Sequence, residues 1–226
     1  MFSAYLIHIF IIIGIYMILA VSLNLVVGYT GLLNFGHIAF FGIGAYTSAL
    51  LTMKGVPFVI AILAGGCLAA VCGALLMKLT NRLRGDYLAL ATLGFSFVLY
   101  AVLLNWESVT RGALGVPGIS RPSFFGFELL QNWQYLIFVV LVAVLTVLFL
   151  FKLTRSPYGK LLQAVRDDEI GVMSLGKNVF RLKYQSMAVG AFLAAIAGSL
   201  YAHYISYIDP STFFLNDLIV IFTIII

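Results

Sequence analysis

Six long apolar runs follow one another along the chain, near residues 4–27, 37–53, 57–78, 87–105, 133–152 and 182–206. The few charges they carry sit at their ends. A helix needs about 20 mostly apolar residues to cross the hydrocarbon core of a bilayer. Inside that core every backbone amide and carbonyl must be satisfied by the chain itself, which leaves helices or closed barrels. The period-2 alternation and regular turns of a barrel are missing from the sequence. The expected fold class is therefore all-α, a polytopic transmembrane helical bundle with a short cytoplasmic helix. Composition agrees: 63% of residues are hydrophobic, 9% are charged and the mean hydropathy is +1.11. Soluble domains carry about 25% charged residues. A soluble enzyme domain, a nucleic-acid-binding module and a disordered tail are excluded on that ground.

A further apolar run begins near Phe213 and stops at Ile226, shorter than a comfortable crossing. The expectation is one transmembrane domain over residues 1–226, truncated inside a membrane helix at its C-terminal end. The N-terminus has no basic flank and a longer apolar stretch than a cleavable signal peptide uses.

Ten of the thirteen Lys and Arg residues fall in two windows, 78–86 and 152–183. The first holds Lys78, Arg82 and Arg84 against Asp86. The second holds Lys152, Arg155, Lys160, Arg166, Lys177, Arg181 and Lys183 against Asp167, Asp168 and Glu169. Positive charge marks cytoplasmic connections, so both windows are assigned to that side. The 106–132 connection, with Glu107, Arg111, Arg121 and Glu128 in balance, then lies outside. Counting spans backward puts the N-terminus outside, although residues 1–53 contain no Lys or Arg.

Small residues recur four apart at Gly66, Ala70 and Ala74, and again at Gly190, Ala194 and Gly198. Such stripes let helices approach closely in lipid, whether between subunits or within one chain. Cys67 and Cys72, inside an apolar run, read as packing residues and not as a disulfide or a metal site.

The stretch from Asn24 to Leu51 mixes glycines at 28, 31, 36, 42 and 44 with Asn24, Thr30, Asn34 and His37. Glycine weakens a helix and lets the backbone open. Opened backbone at membrane depth survives only where protein or water covers it, and its free amides and carbonyls can contact a polar solute. The stretch therefore reads either as part of a polar path or as a tight turn between two spans. His37 is the histidine placed to serve such a path, since intramembrane ionisable groups are costly and commonly functional. The alternative is that it sits at the membrane boundary and meets a carbonyl.

Between 152 and 183, Ser156 is a good helix N-cap and Pro157 suits the first helical position. Leu161, Leu162, Val165, Val172 and Leu175 make an interrupted apolar face, and Gly176 provides a stop. Asp167, Asp168 and Glu169 are expected mid-helix beside Arg166. One or two amphipathic cytoplasmic helices result, lying on the membrane surface or docked into a partner. The mixed signs of their charges favour a protein partner.

No G-x-x-x-x-G-K-[ST] phosphate loop, H-E-x-x-H motif, nucleophile elbow or cysteine–histidine metal spacing is present. Intramembrane acids are scarce: Asp86 and Asp217 lie near span ends and Glu107 lies outside. With no phosphate loop, driving energy is expected from another subunit or from an ion gradient, and the scarcity of such acids disfavours the ion-coupled secondary carrier that the second would require. A convergent set of catalytic residues is absent, so an enzyme is not expected.

Three long segments carry a resemblance. NLVVGYTGLLNFGHIAFFGIGAY (24–46), SPYGKLLQAVRDDEIGVMSLGKNVFRLK (156–183) and SLYAHYISYIDPSTF (199–213) are similar to segments of branched-chain amino-acid ABC transporter permeases. GDYLALATLGF (85–95) resembles the LivM-type subunit of that family more than the LivH-type. The resemblance covers essentially the whole chain. It implies an import permease of the bacterial inner membrane, transporting leucine, isoleucine or valine, with urea, amides or other amino acids as alternative substrates. It implies a second related permease subunit, two cytoplasmic ATPases that use ATP and Mg, and an external solute-binding protein. By the same resemblance the segment of about 155–178 is a coupling helix, with Gly159, Ala164, Arg166, Asp167, Asp168, Glu169 and Gly176 toward an ATPase. Asn24, Gly28, Gly31, Asn34, Gly36, His37, Gly42 and Gly44 would help form the translocation path. No cofactor, metal or nucleic acid is implied for this chain itself. Two places depart from the family pattern. Gly171, Val172 and Met173 stand where small alanines are usual, and TRGALGVPGIS (110–120) is a looser form of the external Gly-rich loop.

Overall fold

The computed structural model describes residues 2–80, 82–83, 85–124, 127–128, 131–213 and 215–225. Arg84 and Ile226, and the side chains of Glu128 and Asp217, lie outside the described residues.

Five helices among the described residues are long and apolar enough to span a membrane. They are α1 (Phe2–Asn24), which continues through a π-turn at Leu25–Tyr29, α3 (Phe58–Leu79), α4 (Asp86–Asn105), α6 (Asn132–Arg155) and α9 (Val179–Ile205). A shorter apolar helix, α2 (His37–Met53), has 17 residues. At 1.5 Å per residue that is about 25 Å, close to the core thickness of a thin bilayer. These six elements match the six apolar runs. The last run forms α10 (Leu215–Ile225). The connection after α4 holds a one-turn helix, α5 (Glu107–Thr110), a 3-10 turn at Gly112–Leu114, and short strands β1 (Val116–Pro117), β2 (Ser123–Phe124) and β3 (Phe127–Glu128). Two cytoplasmic helices, α7 (Pro157–Asp167) and α8 (Glu169–Ser174), join α6 to α9. Strand β4 (Tyr207–Ile208) and a 3-10 turn at Pro210–Phe213 follow α9.

The central pillar is α9, which packs against α1, α2 and α3. Its small-residue stripe is used inside the chain. A Cβ on Gly198 would collide with the Phe41 carbonyl, and one on Gly44 would collide with the backbone of Ala195. A Cβ on Gly66 would lie 2.7 Å from the Phe192 ring, so α3 seats an aromatic of α9 in its own stripe. Ala194, Ala195 and Ala197 are fully buried along the same seam. Without a hydrophobic driving force between spans, such close approach is what holds helices together in lipid. Exposed apolar side chains cover the outer faces of α6 and α3, such as Leu145, Leu148, Val71 and Leu75, as expected for a lipid-facing surface.

Tertiary contacts sort the ends of the helices. At one end, His8 Nδ1 lies 2.7 Å from the Tyr204 hydroxyl, and Thr52 Oγ1 lies 3.1 Å from His203 Nε2. There too β1 pairs antiparallel with β4, Val116 opposite Ile208. At the other end, the 28–36 connection meets the α3–α4 loop and α7, α8 and the start of α9. Both basic windows belong to this second end, the end that the positive-inside rule assigns to the cytoplasm. The N-terminal part of α1 lies at the opposite end.

The cytoplasmic segment corrects one expectation. Asp167, Asp168 and Glu169 do not sit within a continuous helix: α7 stops at Asp167, and Asp168 adopts extended backbone. Its carboxylate accepts from the amides of Ile170 and Gly171, both at 3.0 Å, and so starts α8. Asp is among the best residues for this place, where four amides lack intrahelical partners. Ser156 caps α7 as expected, accepting from the Gly159 amide, with Pro157 behind it. Gly176 terminates α8 in the left-handed region at φ +72°. Leu162, Val165 and Val172 are buried, whereas Leu175 is 78% exposed and is not part of the inward apolar face.

Candidate functional site

The site forms where the first span ends. Within Leu25–Tyr29 the helix widens to a π-turn, a form concentrated at functional bulges. The chain then turns at Gly31, whose φ of +72° suits glycine, and runs without helix to Gly36. Much of this connection is buried, so its polar groups need partners from elsewhere. Thr30 Oγ1 lies 3.0 Å from the Leu25 carbonyl and 2.6 Å from the Ser186 hydroxyl on α9. The Phe35 amide donates to Thr92 Oγ1 of α4 at 3.0 Å, and the Ser96 hydroxyl donates to the Phe35 carbonyl at 3.2 Å.

Asn34, Gly36 and His37 form one buried network. The Gly36 amide donates to Asn34 Oδ1 at 3.0 Å, which fixes the amide's orientation. Asn34 Nδ2 then points to His37 Nδ1 at 3.4 Å and to Met187 Sδ at 3.5 Å. His37 Nε2 lies 2.8 Å from Ser22 Oγ, and the Ser22 hydroxyl donates to the Leu19 carbonyl at 2.7 Å. An amide N–H toward Nδ1 requires that the ring proton sit on Nε2. Every member of the chain from Asn34 to Leu19 is thereby satisfied with a neutral imidazole.

The other residues expected on a path fall in different surroundings. Gly28 and Gly31 lie at the break itself, against α7. Gly42 lies in the regular part of α2, where a Cβ would be 3.2 Å from Phe213, and Gly44 is pressed onto α9. Asn24 lines a small cavity of about 150 Å³ between α1 and α6. Ser22, Thr92, Ser96, Ser186 and Met187 belong to the network although sequence reading did not single them out. Their one signal was a lone polar or thioether side chain in an apolar run.

The cytoplasmic helices meet this break directly. Arg166 donates from its guanidinium to the Gly28 carbonyl. Glu169 Oε2 accepts from Lys183 Nζ of α9 at 2.8 Å, an ion pair with both side chains mostly shielded. Thr30, Gly31, Leu83, Gly85, Arg166, Glu169 and Lys183 surround a polar cavity of about 150 Å³. Of the remaining coupling candidates, Gly159 lies against the Thr154 carbonyl at the α6–α7 corner, Ala164 is half-buried, and Asp167 is exposed. Burial pushes the Tyr158 phenol up to about 12, so it stays protonated. Outward from the spans, Ile170, Met173 and Leu175 form an exposed apolar patch, at 67%, 43% and 78% exposure. Lone exposed apolar residues are ordinary; here three fall within six residues, two on α8 and one at its C-cap.

High-affinity branched-chain amino acid transport system permease protein LivM of Escherichia coli K12 is 39% identical over 223 residues, which cover 88% of this chain and 52% of that protein. The probable branched-chain amino acid transport permease protein LivM of Methanocaldococcus jannaschii is 30% identical over 227 residues, 84% of this chain and 65% of the relative. Identity to the E. coli K12 permease protein LivH is lower, 25% over 215 residues, 86% of this chain and 68% of the relative. The chain thus spans about half the length of the E. coli LivM protein. No solved structure matches. The family described as branched-chain amino acid transport system / permease component matches residues 5–226, and the chain belongs to that family.

Proposed function

We propose that the chain is the membrane-embedded permease of an ATP-binding-cassette importer and forms part of the translocation path for leucine, isoleucine or valine in the bacterial inner membrane. The observation that carries the reading is the two-faced cytoplasmic segment. Its inner face is bound to the spans through Arg166 and the Glu169–Lys183 pair, and its outer face offers Ile170, Met173 and Leu175. Such a segment suits a subunit that moves its spans when a partner pushes on it. In this reading two cytoplasmic ATPases consume ATP and Mg, a second related permease completes the path, and an external binding protein delivers the solute. The chain itself needs no cofactor. ATP-driven movement of the ATPases would tilt α7 and α8 and switch the path between outward and inward access. Coupling of this kind requires that each permease state bias the ATPases differently.

Two measurements test the reading. The permease is purified in mild detergent and its partners are identified; ATPase subunits and a second permease are expected. The complex is then placed in proteoliposomes with radiolabelled leucine, with urea and acetamide as competitors. ATP-dependent leucine uptake that the competitors leave unchanged supports the reading. Uptake that ignores ATP and follows an ion gradient would replace it with a secondary carrier. Changing Asp168, Glu169 and Gly176 together is expected to abolish assembly or uptake.

A further inference from the structure

We propose that Arg166 is the positioning residue through which movement of α7 reaches the first span, by holding the end of that span at the Gly28 carbonyl. The inference rests on the importer reading above and adds the point of mechanical contact. Three observations meet there. The last carbonyls of a helix have no intrahelical donors and carry partial negative charge, so a cation is the natural cap. Arg166 fills that place for α1, but from a different element, α7. The backbone beyond it is pressed onto the same side chain: a Cβ on Gly31 would lie 2.9 Å from Arg166 Cγ and 3.2 Å from its Cβ. Finally, the helix turn being held is the π-turn Leu25–Tyr29. A π-turn contains one residue more than an α-turn and occurs mostly as a single bulge at functional sites, which makes this turn the place where the span would yield.

The neighbouring contacts define what moves and what stays. Thr30 is bonded to Ser186, and Glu169 is paired with Lys183, both on α9. Arg166 by contrast reaches α1, the span whose far end lies at the opposite end of the bundle. The polar cavity of about 150 Å³ beside Arg166 leaves the guanidinium room to shift with α7. Displacing α7 therefore pulls on the π-turn, and through it on Ser22 and the His37 network one turn further into the membrane.

The test separates transmission from docking. In the assembled complex in proteoliposomes, R166A is expected to keep its ATPase subunits and most of its ATP hydrolysis, while radiolabelled leucine uptake falls roughly tenfold. R166K is expected to recover part of the uptake, because an ammonium can still meet one carbonyl but lacks the guanidinium fork. A purely structural role would lower hydrolysis and uptake together. Uptake by R166A close to the unchanged protein overturns the proposal, and so does loss of the ATPase subunits, which would make Arg166 a docking residue. Should R166A fail to fold, R166Q decides: an unchanged ratio of hydrolysis to uptake overturns the proposal, and a raised ratio supports it. If the unchanged complex shows no ATP-driven leucine uptake, the importer reading itself fails.

Discussion

Ser22 Oγ lies 2.8 Å from Nε2 of His37 and joins the last turn of α1 to the first residue of α2 inside the bundle. The bond is one step of a directed series, from the Asn34 amide through the imidazole and the Ser22 hydroxyl to the Leu19 carbonyl. Replacing His37 by Ala leaves a cavity and removes one of two partners from both Asn34 Nδ2 and Ser22 Oγ. The expected loss of stability is about 2–3 kcal/mol. Ser22→Ala strands only the ring N–H and is expected to cost about 1 kcal/mol, the usual scale for polar contacts between spans. Unfolding of the purified protein in mixed micelles checks both. Equal effects of the two variants would remove the ring from the series.

Packing glycines separate from incidental ones by what a methyl group would meet. Gly44→Ala and Gly198→Ala drive a carbon into backbone of a neighbouring span, which cannot swing aside. Each is expected to destabilise by about 1–3 kcal/mol or to prevent folding. Gly94→Ala on α4 meets nothing within 4 Å. It is expected to be neutral or stabilising by up to about 1 kcal/mol, the helix propensity gain. Thermal denaturation of the three variants in one detergent settles the order.

Asp168 holds α8 in place through two amides. Loss of a cap costs about 1 kcal/mol, and a helix of 6 residues has little else to keep it formed. In Asp168→Ala, hydrogen exchange is expected to accelerate over 169–174 and to stay unchanged in the spans. Asp168→Asn keeps the acceptor and is expected to protect those amides. If Asn protects them yet ATPase subunits no longer co-purify, the charge of the carboxylate itself is read by the partner.

The Glu169–Lys183 pair fastens α8 to α9. Glu169→Lys and Lys183→Glu each place like charges together at a partly shielded site and are expected to reduce uptake several-fold, on the scale of 1 kcal/mol. Exchanging both charges restores the attraction, and uptake is expected to return. A double variant no better than the singles would mean that one of the two charges has a different main task.

Much of the architecture was legible before any coordinates, for one physical reason. Lipid tolerates no polar backbone, so the lengths of the spans and the polar windows between them stand out in hydropathy. The caps Ser156 and Gly176 were equally plain, because single residues carry that chemistry. Asp168 was misplaced within a helix although an acidic residue followed by Glu169 is an ordinary helix start. The apolar face running across it masked the break. Partnerships between distant spans were not legible. Thr30 with Ser186, Phe35 with Thr92 and Arg166 with Gly28 depend on how the spans rotate about their axes. A nearly all-apolar helix does not announce that rotation. The five glycines of 28–44 look alike in sequence and divide in the structure: Gly28 and Gly31 lie at an opened helix end, Gly36 donates its amide to Asn34 at the start of α2, Gly42 faces Phe213, and Gly44 lies in the α2–α9 seam.

Gly44 and Gly198 bring the backbones of α2 and α9 into mutual contact, and Gly65 brings α3 to the backbone of Gly44. A seam of main chain against main chain has no side chains to act as bearings. Sliding along it would force carbonyls over Cα ridges, so these three spans must travel as one solid piece. An importer built on this piece is then expected to hinge at its periphery, where α1 ends in a π-turn and α4 and α6 are held mainly by side chains.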